Sequence, residues 1–211
     1  MFDNNNLAPN TEKYHRTSIL IGAGIIIVLA ALLFASPALR QTFKKIFSER
    51  GTETSTDNRR RVEAVDGSFA LVVPDTWTVL YPETSKLQGG IIIVESPDLK
   101  IEIEPNEKGG TPFVRHKTGA VLTITSLRQT GASPAEPKGE MKNKTQTIVG
   151  GLQGTFYEYR PIQTKEGELL EVRLKRGDDL YYFFRFAFNP ETFPQGKQTF
   201  EEILGSLKIK R

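Results

Sequence analysis

Short apolar runs, interrupted by turn residues, occupy the chain from about residue 62 onward. The first such stretches are 67–73, 77–81, 91–94 and 99–104, and they are separated by Pro-Asp and Gly-Gly pairs. In 99–104 apolar and polar residues alternate strictly, which is typical of a strand with one buried face. The pattern predicts a domain over 62–211 that is built mainly of short strands.

The second half of this domain has a clearer pattern. Three stretches, 155–160, 169–175 and 180–188, are separated by turn residues and predict an antiparallel meander. The last one, LYYFFRFAF, is apolar on both faces apart from Arg185. A strand of this kind belongs in the middle of a sheet that is covered on both sides.

Two segments are predicted to be helices that cover this sheet. In 199–207, Phe200, Ile203, Leu204 and Leu207 form one apolar stripe. In 117–129, the spacing of Val121, Ile124 and Leu127 predicts a helix, although the β-branched content also suits a strand. The polar, proline-containing segment 132–144 is predicted to be a loop.

The order of these segments resembles the PsbP-like/Mog-like superfamily. The similar features are FALVVPDTW, the Gly151-Leu152-Gln153-Gly154 turn, the LYYFFRFAF strand and the terminal FEEILGSLKI, within residues 66–209. The resemblance implies an α+β fold, an antiparallel β-sheet sandwiched by helices, that serves as a non-enzymatic binding or assembly module. It carries no functional residue over to this chain.

A long uncharged segment lies near the N-terminus. No charged residue occurs in 17–39, and 23 residues span roughly 35 Å as a helix, enough to cross a hydrocarbon core of about 30 Å. We therefore predict a transmembrane helix at 19–38, through which the chain contacts the lipid bilayer. The alternative is a signal peptide cleaved near Ala38, but the apolar run 19–35 is longer than the usual apolar region of about 7–15 residues.

The segments around this helix are polar. We predict a polar tail at 1–18, an amphipathic membrane-proximal segment at 39–47 and a flexible linker at 48–61 before the domain at 62–211. Basic residues are more frequent after the helix than before it, which by the positive-inside rule places the domain in the cytoplasm. Large domains are translocated regardless of charge, so we expect a single-pass cell-membrane protein with an extracytoplasmic domain and keep the cytoplasmic orientation as the alternative.

Charge and composition exclude several classes of function. Residues 1–61 hold nine basic and five acidic side chains, so of the 28 basic and 25 acidic residues, 19 and 20 remain in 62–211. This balance argues against a nucleic-acid-binding domain. The absence of cysteine excludes disulfides, thiolate catalysis, zinc–thiolate sites and iron–sulfur clusters.

The candidate chemical groups have simple structural explanations. His116 is the only histidine of the domain, and a surface position between two cations is a poor metal site. Glu102 and Glu104 share one face of a strand and could bind a cation or divide acid and base roles, but a solvent-facing surface explains them as well. Arg176-Gly177-Asp178 fits a tight turn better than an integrin motif.

Trp77 and the aromatic residues of 180–188 fit either a ligand pocket or a helix-covered core. No nucleophile–base set, metal site or phosphate loop emerges, so we predict no enzymatic activity, no catalytic, cofactor-binding or metal residues, and no cofactor. The expected function is that of a membrane-anchored module that binds a membrane or envelope protein and no nucleic acid. An envelope hydrolase, a small-ligand carrier and a secreted domain are the alternatives.

Overall fold

The structure is a computed structural model that describes residues 58–82, 90–106, 111–129 and 133–210. All of them belong to one structural unit, Phe43–Arg211. The predicted tail at 1–18, transmembrane helix at 19–38 and amphipathic segment at 39–47 lie outside the described residues. Among the residues that are described, no helix has the length and apolar character needed to cross a membrane.

The described residues form one helix and thirteen strands. In chain order they are β1 (Arg59–Glu63), β2 (Phe69–Pro74), β3 (Thr78–Leu80), β4 (Ile91–Glu95), β5 (Lys100–Glu104), β6 (Phe113–Thr118), β7 (Ala120–Arg128), β8 (Gly139–Val149), β9 (Leu152–Pro161), β10 (Thr164–Glu166), β11 (Glu168–Arg176), β12 (Leu180–Phe188), α1 (Gly196–Gly205) and β13 (Lys208–Ile209).

These strands form three sheets. The largest is seven-stranded and antiparallel throughout, in the order β3-β4-β7-β12-β11-β9-β8. A small antiparallel sheet has the order β1-β2-β13, and a third sheet, β10-β6-β5, includes the parallel pair β10–β6. The described part of the chain is therefore mostly antiparallel β-structure.

The predicted meander is confirmed. β9, β11 and β12 are antiparallel neighbours, and β12 is the fourth of the seven strands. Tyr182, Phe184, Phe186 and Phe188 on one face of β12, and Tyr181 and Phe183 on the other, are all buried. The apolar character of both faces thus places β12 at the centre of the sheet, as the sequence predicts.

The hydrophobic core lies on one face of the large sheet, against β2 and α1. Phe186 stacks on Phe200 of α1 at 5.3 Å between ring centroids, and Trp77 stacks on Phe186 at 6.1 Å. Phe69 of β2 meets Phe184 edge-on at 5.8 Å. The predicted helix at 199–207 is confirmed as α1, which begins a few residues earlier and buries Phe200, Ile203 and Leu204.

The second predicted helix is wrong. Segment 117–129 contains β7, which pairs with β12 and β4 in the large sheet. Its consecutive β-branched residues Thr123, Ile124 and Thr125 suit a strand, and the fully paired position between two neighbours outweighs the helical spacing. Among the described residues the sheet is covered by one helix and a second small sheet, and no helical sandwich is formed.

The structure also moves two segment boundaries. The predicted linker at 48–61 runs into β1, so residues 59–61 belong to the domain, where they pair with β2. The predicted loop at 132–144 runs into β8, which begins at Gly139. Apart from Met141, neither segment has a large apolar residue, because their strands lie at sheet edges with mostly exposed side chains.

Candidate functional site

One edge of the large sheet is formed by β8, an eleven-residue strand, and the other by the three-residue β3. The only strand partner of β8 among the described residues is β9, so the opposite side of β8 is unpaired. Gly150 and Gly151 join the two strands with φ values of 58° and 79°. A two-residue hairpin loop with positive φ at both positions matches the twist of the strands and fixes their register.

An open groove of about 580 Å³ lies between β8 and the C-terminal half of α1. Seven of the eight residues in 143–150 line it on one side, and Glu201, Leu204 and Gly205 line it on the other. Phe156 and Val172 also line the groove and make it partly apolar. Its volume is within the range of pockets that hold ligands or peptide side chains.

The α1 side of the groove is negatively charged. Glu201 is exposed and, within the described residues, its carboxylate has no cation partner, although its charge helps to raise the pKa of Lys197. The last turn of α1 contains no basic residue, so the partial negative charge of the helix C-terminus is not offset there. This end of the groove therefore favours a cationic group.

The two lysines of β8 are paired within the domain. Lys144 bonds to Glu136, and Lys142, where the register of β8 shifts, bonds to Glu168. On α1, Lys197 pairs with the mostly buried Glu158 at 2.6 Å, a contact that raises the pKa of Lys197. These pairs are intramolecular, so the negative charge of Glu201 remains the unpaired charge that faces the groove.

A buried polar cluster occupies the other face of the large sheet. The carboxylate of Glu171 accepts hydrogen bonds from Arg173, from Arg185 at 2.9 Å and from the Tyr159 hydroxyl at 3.1 Å. Burial alone would raise the pKa of Glu171, but the charges of the two arginines lower it below its ordinary value. Burial, together with the Glu171 charge, raises the pKa of Tyr159. Both oxygens of the carboxylate accept hydrogen bonds from side chains of the domain, so the cluster is a structural one.

The paired acids Glu102 and Glu104 lie on β5, where each has a cation partner. Glu104 contacts Arg115 at 2.6 Å and bonds to Lys165, which lowers its pKa, and Glu102 lies 3.5 Å from Lys117. No cluster of three metal-ligating residues is found in the described part of the chain. The two carboxylates are therefore engaged in cross-strand ion pairs, which does not favour the hydrolase alternative.

His116 is not on the surface, contrary to the sequence-based expectation. It lies on β6, is 7% exposed, and its Nδ1 has no hydrogen-bond partner in the described structure. Burial lowers the pKa of His116 to about 4. Its backbone carbonyl accepts a hydrogen bond of 2.9 Å from Asn189, which ties β6 to the turn after β12.

The remaining candidates have structural roles. Gly177 adopts φ of 66° in the β11–β12 turn, so Arg176-Gly177-Asp178 meets the requirements of a tight turn. Trp77 is 5% exposed and belongs to the core cluster with Tyr182, Phe184, Phe186 and Phe188 of β12. None of these rings lines the groove, whose aromatic lining residue is Phe156 of β9.

Sequence reasoning missed the groove. The residues of β8 before Thr147 are all exposed, so the strand shows no alternation of apolar and polar residues. The available signal was the Gly150-Gly151 pair between two segments rich in β-branched and aromatic residues, which predicts a hairpin and hence a strand before it. The position of α1 beside β8 has no signal in the sequence.

Comparison with known proteins gives two structural likenesses. No protein-family model and no curated protein matches the chain. A Bacteroides thetaiotaomicron protein of known structure is 7% identical over 72% of this chain, with a TM-score of 0.40, and the chain spans about half (48%) of its length. The cyanobacterial PsbP (CyanoP) of Synechocystis sp. PCC 6803 is 10% identical, with a TM-score of 0.47 and coverage of 76% of this chain and 99% of that protein. The sequence resemblance had suggested a PsbP-like domain, and a PsbP protein is among the structures that match.

Proposed function

We propose that this chain is a membrane-anchored, non-enzymatic binding module that presents its β-domain to a membrane or envelope protein. The observation that supports this function best is the open edge of β8 with the groove beside it. An unpaired strand edge displays backbone donors and acceptors that another chain can satisfy. Of the strands that lie at a sheet edge in the described domain, β8 is the longest, with eleven residues against three in β3 at the other edge of the large sheet.

The membrane anchor in this proposal is derived from the sequence. The uncharged segment 17–39 is long enough for a transmembrane helix at 19–38. An anchored domain meets its partners at a raised effective concentration, so weak contacts at a strand edge become sufficient for binding. We propose an extracytoplasmic domain, and protease accessibility in intact cells distinguishes this orientation from the cytoplasmic one.

Site-specific photo-crosslinking in native cells tests the function. A photoreactive amino acid replaces Ile148 at the β8 edge, which is 72% exposed, and in a matched control it replaces Val65, which is 60% exposed in the β1–β2 turn. We expect a discrete membrane or envelope protein to be crosslinked from position 148 and not from position 65. The full-length chain should remain with the membrane until detergent is added.

Three kinds of result would contradict the proposal. If the full-length chain is released into buffer without detergent, it has no membrane anchor. If the native protein is shorter by about 38 residues, the signal peptide has been cleaved and the domain is secreted. Equal crosslinking from both positions, or none from position 148, would remove the β8 edge as the binding surface.

A further inference from the structure

We propose that the groove between β8 and α1 binds an extended peptide segment of the partner, which adds to β8 as an eighth strand and places one apolar and one basic side chain in the groove. This inference rests on the proposed binding function, because it names the chemistry of the partner at that site. Three features support it: the unpaired backbone edge of β8, the apolar lining of the groove and the negative charge of the groove.

The backbone edge of β8 is long enough to hold a peptide strand. The residues that line the groove extend over 143–150, which is about 26 Å at roughly 3.3 Å per residue. Along an edge strand, alternate residues direct their N–H and C=O groups outward, so a peptide of seven to eight residues finds a continuous row of partners. The β8–β9 hairpin and the Gly150-Gly151 turn hold this edge in one register.

The apolar part of the groove selects one kind of side chain. Phe156, Val172 and Leu204 contribute to its lining, and Phe156 is only partly buried. In an added strand every second side chain faces the same side of the sheet, so residues i and i+2 of the peptide point into the groove together. A branched apolar side chain at one of these positions would bury surface against Phe156 and Leu204.

The charge of the groove selects the second side chain. The Glu201 carboxylate is unpaired within the described residues, and the C-terminal turn of α1 adds partial negative charge. Lys or Arg at the second groove-facing position would be attracted to both. The preferred peptide therefore carries an apolar residue and a basic residue two positions apart.

A second copy of this chain fits the groove less well. If two β8 strands paired in antiparallel fashion, the same face of each sheet would continue across the junction. The groove-facing residues of the second β8 would then be Asn143, Thr145 and Thr147, which pair on that face with Glu158, Phe156 and Gly154. None of them is basic, so Glu201 would remain unpaired.

Selection from a displayed library of random nine-residue peptides tests the inference. The full chain is reconstituted in lipid nanodiscs, and three forms are compared: wild type, Glu201→Lys and Glu202→Lys. Glu202 is a matched control, because it lies next to Glu201 on α1 but faces Arg59 of β1 at 3.6 Å and does not line the groove. Wild type and Glu202→Lys should enrich peptides with an apolar residue and Lys or Arg at i and i+2.

Glu201→Lys should enrich acidic residues in place of the basic one. For a synthetic copy of the enriched peptide, we expect the charge reversal to weaken binding by about three- to tenfold, which is the range for an exposed ion pair converted to a repulsion. Melting temperatures of the three forms, measured in parallel, show that the exposed substitutions leave the fold intact.

Backbone N-methylation of the same peptide tests strand addition without altering the protein. Two isomers are made, one methylated at odd and one at even positions. An added strand uses the N–H groups of only one set, so one isomer should lose at least about tenfold in affinity and the other should bind like the parent.

The inference is overturned by any of three outcomes: selected peptides that do not respond to Glu201→Lys, two N-methyl isomers that bind equally, or no enrichment above an empty nanodisc. A full chain that is dimeric through β8 and is not dissociated by the peptides would assign the edge to self-pairing. Each of these results leaves the crosslinking and membrane-retention tests unaffected, so a failure of this inference is distinguishable from a failure of the proposed function.

Discussion

Glu171 on β11 and Arg185 on β12 are register partners, and the Nε of Arg185 donates a hydrogen bond of 2.9 Å to a carboxylate that is fully buried. Arg173, only 9% exposed, donates to the other carboxylate oxygen and also bonds to the backbone of Pro134 and Ala135. One anion thus holds two cations on the face of the sheet opposite the core. Loss of the Glu171 charge would therefore leave both arginines without their shared anion.

Replacing Glu171 by glutamine should destabilise the fold by about 3–5 kcal/mol, because the buried Arg173 loses its counter-charge. Urea unfolding followed through the fluorescence of Trp77, the single tryptophan, measures the change. Glu140→Gln, at an exposed position of β8, should leave the unfolding midpoint unchanged. Equal midpoints for the two variants would show that the cluster contributes little to stability.

His116 should make the stability depend on pH between about 6.5 and 4. Burial lowers the pKa of His116 from 6.5 to about 4, so in this window the unfolded chain binds a proton that the folded chain does not. Stability therefore falls as the pH is lowered, by about 3 kcal/mol from this group. His116→Leu should flatten the curve relative to wild type at pH 4.5–6.5, as measured by urea unfolding at each pH. Parallel curves would mean that folding does not change the proton affinity of His116.

Two glycines of α1 should respond to alanine in opposite ways. At Gly196 a methyl group would overlap the ring of Phe188 in the core, and we expect a loss of about 1–3 kcal/mol. At Gly205 the same methyl group meets nothing within 4 Å, so Gly205→Ala should be neutral or stabilise by up to about 1 kcal/mol. Thermal unfolding of both variants checks the difference, and a Gly196→Ala protein as stable as wild type would disprove the close packing of α1 on β12.

Ile148 should matter for binding and not for folding. Its side chain is 72% exposed on β8, so Ile148→Lys should leave the melting temperature unchanged. If a partner strand lies alongside, the loss of this apolar contact should weaken binding of the selected peptides by about threefold or more. Fluorescence anisotropy with a labelled peptide provides the measurement, and an unchanged affinity would place the peptide elsewhere.

The sequence predicts the interior of this fold better than its edges. Strands such as β12 and β5 were predicted because burial imposes an apolar pattern on them, on both faces or on alternate positions. β1 and the first half of β8 were missed because their exposed side chains carry no such pattern. The error at 117–129 arose because β-branched residues at helical spacing fit two structures, and only pairing with β12 decides between them.

The candidate site depends on relationships that the sequence does not contain. Gly150-Gly151 marks a turn, but the presence of Leu204 and Thr145 in one groove results from how α1 packs on the sheet. Glu201 and Glu202 are adjacent and chemically identical in the sequence, and only the structure shows that one faces Arg59 and the other faces the groove.

The position of β2 between the first and last strands has a consequence for the order of biosynthesis. β2 pairs with β1 on one side and with β13 on the other. The Val72 N–H donates to the Ser206 hydroxyl at 2.8 Å, and the Lys210 N–H donates to the carbonyl of Ser68, just before β2, at 2.9 Å. The ribosome must therefore release residues up to 210 before this small sheet can close over the aromatic core. Until then Phe69 of β2 lacks the final cover that β13 completes, so closure of this part of the core is a late, post-translational step.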